Sequence, residues 1–134
     1  MSTRREARER ALSLCYELEV RGLPFDDVLT ELPSPPEEYA VALVRGVDAH
    51  RDEVDAVLRK YSEHWALERM PLVDRAILRI GCYELGWEPA LPTGVVISEA
   101  VELAKQYSTK DSGRFVNGML GRIAEDLRAP ESTP

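Results

Sequence analysis

An all-α fold is predicted by three observations on this sequence. Apolar residues recur at helical three- and four-residue intervals, strand-like alternation is nearly absent, and no internal repeat or low-complexity tract interrupts the pattern. With 134 residues, 44% of them hydrophobic, the chain is one domain able to bury its own core. The expectation is a compact single-domain bundle of six or seven helices over residues 1–128. "APESTP" (129–134) has the composition of a disordered C-terminal tail.

Taken in order, a first helix fits about residues 3–20. Ala7, Ala11, Leu14, Cys15 and Leu18 lie on one face, and the helix ends before Gly22 and Pro24. "FDDVLTEL" fits a short second helix. "PSPPEEY" feeds one long third helix whose buried stripe runs from Ala40 through Leu43, Val44, Val47, Val54, Val57 and Leu58 to Tyr61. Pro36 suits its first turn, and Glu37 and Glu38 its positive end. "SEHWALERMP" reads as a short helix or turn. Val73, Ile77, Leu78, Ile80, Leu85 and Trp87 mark another helix, and after the loop "EPALPTG", Thr93 can cap one carrying Val96, Ile97, Ala100, Val101, Leu103, Ala104 and Tyr107.

The last helix, "KDSGRFVNGMLGRI", pairs a helical stripe (Val116, Met119, Leu120, Ile123) with three glycines, each costing about 1 kcal/mol relative to Ala in a helix interior. Asp111 or Ser112 is expected to be its N-cap. Gly118 and Gly121 are expected to let a neighbouring helix approach closely, with Asn117 bonded to a buried backbone group.

Charge and chemistry narrow the function. The net charge of −7 argues against a surface that attracts nucleic acid everywhere. Two segments run against the average. Arg4, Arg5, Arg8 and Arg10 outnumber Glu6 and Glu9, while Lys105, Lys110 and Arg114 face Asp111 alone. Adjacent in space, they would make a basic patch suited to a short anion. No segment approaches the roughly 18 continuous apolar residues of a membrane span, so a cytoplasmic protein without membrane contact is expected.

Cys15 and Cys82 sit in apolar surroundings and read as reduced core residues. His50 and His64 read as surface residues, with no neighbour spaced for a zinc site or a catalytic triad. No catalytic residue, metal site or cofactor is expected.

Binding features are stronger. Four arginines near a helix N-terminus oppose the macrodipole, at about 0.3–1 kcal/mol for a well-placed charge, and are either a solvated helix start or a binding surface. At the last helix, free backbone N–H groups near Ser112 and Gly113, flanked by Lys110 and Arg114, suit a phosphate. Phe115 either points outward, where it can stack on an unpaired base, or inward with Met119 as core.

The stretches "RREARERALSLCYELEVRG", "LVRGV", "VDRAILRIGCYEL" and "VVISEAVELAKQYSTKDSGRFVNGMLGRI", in this order, resemble the NusB family of bacterial transcription antitermination factors over nearly the whole chain. The resemblance implies two packed helical subbundles and no enzymatic activity. It further implies pairing with NusE, a small-subunit ribosomal protein, and binding of boxA-type single-stranded RNA in ribosomal RNA leader transcripts within the RNA polymerase antitermination complex.

Carried over by position, Arg4, Arg5, Arg8, Arg10, Lys110, Asp111, Ser112, Arg114 and Phe115 are the implied RNA-binding residues, with Phe115 outward, and Tyr16 and Asp74 the partner-binding ones. Glu63 to Met70 and "GWEPALPTG" are the least similar parts. Two alternatives stand beside this reading. One is a self-associating helical module that forms a homodimer. The other is a relative of the NusB-like domain of ribosomal RNA cytosine-5 methyltransferases.

Overall fold

The structure, a computed structural model, describes residues 3–62 and 65–128. The expected tail at 129–134 and His64 lie outside them. Seven α-helices are present among the described residues: α1 (Arg4–Arg21), α2 (Phe25–Glu31), α3 (Glu38–Ala49), α4 (Arg51–Tyr61), α5 (Leu72–Trp87), α6 (Thr93–Tyr107) and α7 (Lys110–Leu127). A 3-10 turn, Leu67–Arg69, precedes α5. α1 and α3 pack together as one subbundle, α4–α7 form the other, and α5 touches members of both. That central position explains its composition: Ala76, Ile77, Leu78, Ile80, Cys82 and Leu85 are all buried, each large apolar side chain contributing about 1.5–3 kcal/mol.

The long third helix is two helices. His50 leaves helical geometry at φ −110°, ψ 21°, ending α3 and starting α4. Val47 and Val54 are seven residues apart, two full turns, so their stripe stays in phase whether or not the backbone breaks between them. Asp52 and Glu53 in the first turn of α4 favour a new N-terminus there. His50 is also no free surface residue. Its ring packs against Trp87 (centroids 4.8 Å apart) and Tyr83 (6.1 Å), and its Nδ1 lies 3.2 Å from a Glu53 carboxylate oxygen.

α1 ends at Gly22, whose φ of 66° is the left-handed conformation that favours glycine, and its N–H donates to Leu18 O at 2.8 Å. Thr93 is the first residue of α6 and not its cap; Pro92 precedes it without a capping side chain.

The glycines of α7 do not do what their spacing implies. A Cβ built on Gly118 or Gly121 would meet no atom within 4 Å, and Asn117 is exposed. The close approach to α7 is made instead at Gly81 of α5, where a Cβ would lie 2.7 Å from Leu120 Cδ1. Gly81→Ala is therefore expected to destabilise by about 1–3 kcal/mol through overpacking. Gly118→Ala is expected to stabilise by up to about 1 kcal/mol through helix propensity. Urea unfolding of both variants checks the contrast.

Charged side chains tie the subbundles together. Arg79 of α5 forks onto Asp55 of α4 (2.8 and 3.0 Å) and reaches Glu19 of α1 (2.7 Å), which Arg51 also meets at 2.9 Å. Burial pushes the Glu19 carboxyl up, but the hydrogen bond from Arg79 and the charges of Arg51, Arg79 and Arg75 hold it below the ordinary range. Cys15 and Cys82 are free thiols, and burial pushes both up to about 12, so neither is a thiolate at neutral pH.

Candidate nucleic-acid interface

The entrance to α7 is built by a capping box two or three residues earlier than expected. Thr109, and neither Asp111 nor Ser112, is the N-cap: its Oγ1 accepts from Ser112 N–H at 3.1 Å, while Thr109 N–H donates back to Ser112 Oγ at 3.4 Å. Ser112 therefore stands at the third helical position, facing α5. It is buried, and its hydroxyl donates to Asp74 Oδ2 at 2.8 Å. With its one proton given to Asp74, the Ser112 hydroxyl only accepts from its other neighbours, the Thr109 N–H and the Ser108 and Thr109 hydroxyls at 3.0 and 2.9 Å, two of which its lone pairs serve at once.

This geometry corrects two expectations. Ser112, expected to face RNA, and Asp74, expected to face a partner, are both interior; Asp74 is only 2% exposed. Together they pin the start of α7 to the start of α5. Lys110, Asp111 and Arg114 project from that pinned start and are exposed. No ion pair among the described residues engages Lys110 or Arg114. The Ser112 N–H, expected to be free, is taken by the Thr109 cap, so the anion-attracting character of this corner comes from its two exposed cations at the positive end of α7.

Phe115 is half-buried, not fully outward. Its ring packs against Trp65, with centroids 5.4 Å apart and planes inclined by 58°.

The four arginines of α1 separate into different roles. Thr3 caps the helix in a box with Glu6, so an acceptor and an acid offset the charge at its start. Arg4 lies over the Tyr39 ring, 3.6 Å from its centroid, and is exposed. Arg5 is exposed but forked onto Glu99 of α6 at 2.9 and 3.1 Å. Arg8 is the clear correction. It is 3% exposed, and its Nε meets both carboxylate oxygens of the buried Glu84 at 3.1 and 3.0 Å. Tyr39 OH donates to the same carboxylate at 2.5 Å. The spacing that put Arg4 and Arg8 on one face is real, since both approach Tyr39, but only Arg8 is buried there and Arg4 stays exposed at its edge. Arg10 is half-exposed, with no ion-pair partner among the described residues.

The two basic segments touch at Glu9 and Tyr107 and not through their cations, since Arg4 faces Tyr39, Arg5 meets Glu99 and Arg8 meets Glu84. Tyr107, three residues before α7, donates its hydroxyl to Glu9 at 2.6 Å, joining the middle of α1 to the end of α6. Between them and the start of α5 lies a groove of about 370 Å³ lined by Glu9, Leu12, Ser13, Tyr16, Val73 and Tyr107. Tyr16 and Tyr107 expose 42% and 47% of their surface.

Two exposed aromatics escaped the sequence reading, Tyr107 and Trp65. Tyr107 follows the apolar spacing of α6, which carries no sign of its exposure. Trp65 stands in a segment without periodicity, where a large aromatic among charges was the available signal. Among the described residues no group of three His, Cys, Asp or Glu side chains could hold a metal, and no helix is long and apolar enough to cross a membrane.

Comparison with known proteins agrees with this architecture. Residues 5–125 match the sequence model of the NusB family. The transcription antitermination protein NusB of Salinispora tropica is 51% identical over 132 residues, covering 93% of this chain and 97% of that protein. The structure of T. maritima NusB superposes with a TM-score of 0.85 at 35% identity, covering 93% of this chain and 92% of that one. A chain in the crystal structure of antitermination factors NusB and NusE in complex with double-stranded RNA superposes at 0.79 with 32% identity, over 92% and 96%. With seven helices in the expected order and a family match spanning most of its length, this chain belongs to the NusB family, a family of transcription antitermination proteins and not of enzymes.

Proposed function

We propose that this chain pairs with a NusE-type small-subunit ribosomal protein and that the pair binds boxA-type single-stranded RNA in ribosomal RNA leader transcripts, acting in the cytoplasm within the RNA polymerase antitermination complex. The observation that carries the reading is the α7 entrance. Lys110 and Arg114 are exposed there, without an ion-pair partner among the described residues, on a chain whose net charge is −7, and Ser112 and Asp74 pin the helix start that carries them. A local cationic corner on an acidic body suits a short stretch of phosphates better than a long duplex. Its modest charge favours a partner that brings more. On α1, Arg4 is exposed over Tyr39 and Arg10 is half-exposed, while Arg5 is largely neutralised by Glu99.

A second reading, self-association, is favoured by the groove at Tyr16 and Tyr107, whose exposed rings could pack against another copy. A methyltransferase relationship has less support, since the relative covered over 97% of its own length is named for antitermination.

Sedimentation at micromolar concentration separates these readings. A one-to-one complex with purified NusE is the expected result. A homodimer that persists unchanged when NusE is added would overturn the pairing.

A further inference from the structure

Trp65 carries a feature that the α7 corner alone does not explain. It stands in the segment between α4 and the 3-10 turn, 39% exposed, with its N–H donating to Ser62 O at 3.2 Å. The indole packs at a tilt of 58° against the half-buried Phe115 of α7, and it is the more exposed of the two rings. One residue back along α7 is the exposed guanidinium of Arg114, and one turn back is Lys110. Aromatic surface next to unpaired cations on a rigid helix start is the combination that holds single-stranded nucleic acid, with rings for bases and cations for the backbone.

We propose that Trp65, and not Phe115, is the ring on which an unpaired base of the bound RNA stacks, with Phe115 as its support. The proposal rests on the RNA-binding reading above and deepens it, because it moves the stacking contact from the helix to a segment outside the helical framework. Phe115 lies against Trp65 and offers a base less free face. Trp65 offers a larger ring and the greater exposure. Stacking of this kind tolerates any base, so it adds affinity without choosing the sequence.

The test couples protein and RNA changes. A labelled single-stranded boxA-type RNA, with NusE present, is titrated with wild type, Trp65→Ala and Trp65→Phe; each RNA position is then replaced in turn by an abasic site. Trp65→Ala should weaken binding by about 5- to 150-fold, the span of one base stack, and Trp65→Phe should recover most of it. One abasic position should cost the wild type a similar factor and cost Trp65→Ala nothing further, a coupling that a packing role would not produce. In a Trp87→Phe background Trp65 is the remaining tryptophan, and its emission should be quenched along the same isotherm.

Equal affinity of Trp65→Ala and wild type, abasic penalties unchanged in Trp65→Ala, or emission indifferent to RNA would each overturn the proposal while leaving RNA binding intact. A wild type that binds no RNA with NusE present would overturn the reading and the proposal together. The fluorescence arm keeps the proposal testable if Trp65→Ala does not fold.

Discussion

Arg8→Ala is expected to destabilise the protein by about 3–5 kcal/mol, the range for removing one member of a buried ion pair. Glu84, 1% exposed, would keep only the Tyr39 hydroxyl as partner and lose the cation that offsets its burial. The pH dependence identifies the cause. In the wild type, burial is the largest influence on Glu84 and holds its carboxyl above the ordinary range, against the opposing pull of Tyr39 and Arg8.

A carboxyl raised on folding contributes stability that is fully present below its unfolded value, about 4.3, and is lost as pH rises through the folded one. Without Arg8 the folded value rises further. The deficit of Arg8→Ala should accordingly be largest at neutral pH and shrink as the solution is acidified toward that carboxyl range. Adding Glu84→Gln to Arg8→Met, which removes both charges and keeps an acceptor for Tyr39, should recover much of the loss at pH 7. Urea unfolding across pH checks all three statements. A neutral-pH deficit under about 1 kcal/mol would mean that Arg8 is not held as the structure places it.

The second large effect concerns binding. Lys110→Ala combined with Arg114→Ala is expected to reduce RNA affinity at least tenfold, since a hydrogen bond to a charged group contributes about 1.5–3 kcal/mol. It should also flatten the plot of log affinity against log salt by about 1.4, at roughly 0.7 per phosphate for a single strand. Neither side chain has an ion-pair partner among the described residues, so the urea midpoint should stay near that of the wild type. The two variants are thus expected to separate the basic residues by function, with Arg8→Ala losing stability and Lys110→Ala with Arg114→Ala losing RNA affinity.

How legible this was in the sequence depended on the kind of interaction. The apolar stripes of α5, α6 and α7 were readable because burial at Ile77, Leu78, Val96, Leu103, Val116 and Ile123 writes itself as helical spacing. Residue spacing does not report what stands across an interface. Arg8 reads as an RNA-binding residue in the sequence because its partner Glu84 is 76 positions away, and a buried arginine looks the same in sequence as an exposed one.

The Ser112 hydroxyl was likewise claimed by Asp74, 38 residues earlier. The break at His50 was hidden by a stripe that two turns keep in register. Gly118 and Gly121 were credited with a close approach that belongs to Gly81. The α7 entrance was found because its signal is local: a polar, basic run opening an amphipathic helix. Trp65, carried by an irregular segment, has no period to mark it.

The most direct measurement is fluorescence anisotropy of a labelled single-stranded boxA-type RNA, with a scrambled single strand and a boxA-containing duplex as controls, titrated with this protein alone and with purified NusE. The account predicts preferential binding of the boxA single strand, tightened by NusE and weakened by Lys110→Ala with Arg114→Ala. Equal affinity for all three RNAs, unchanged by NusE and by the double substitution, would contradict it.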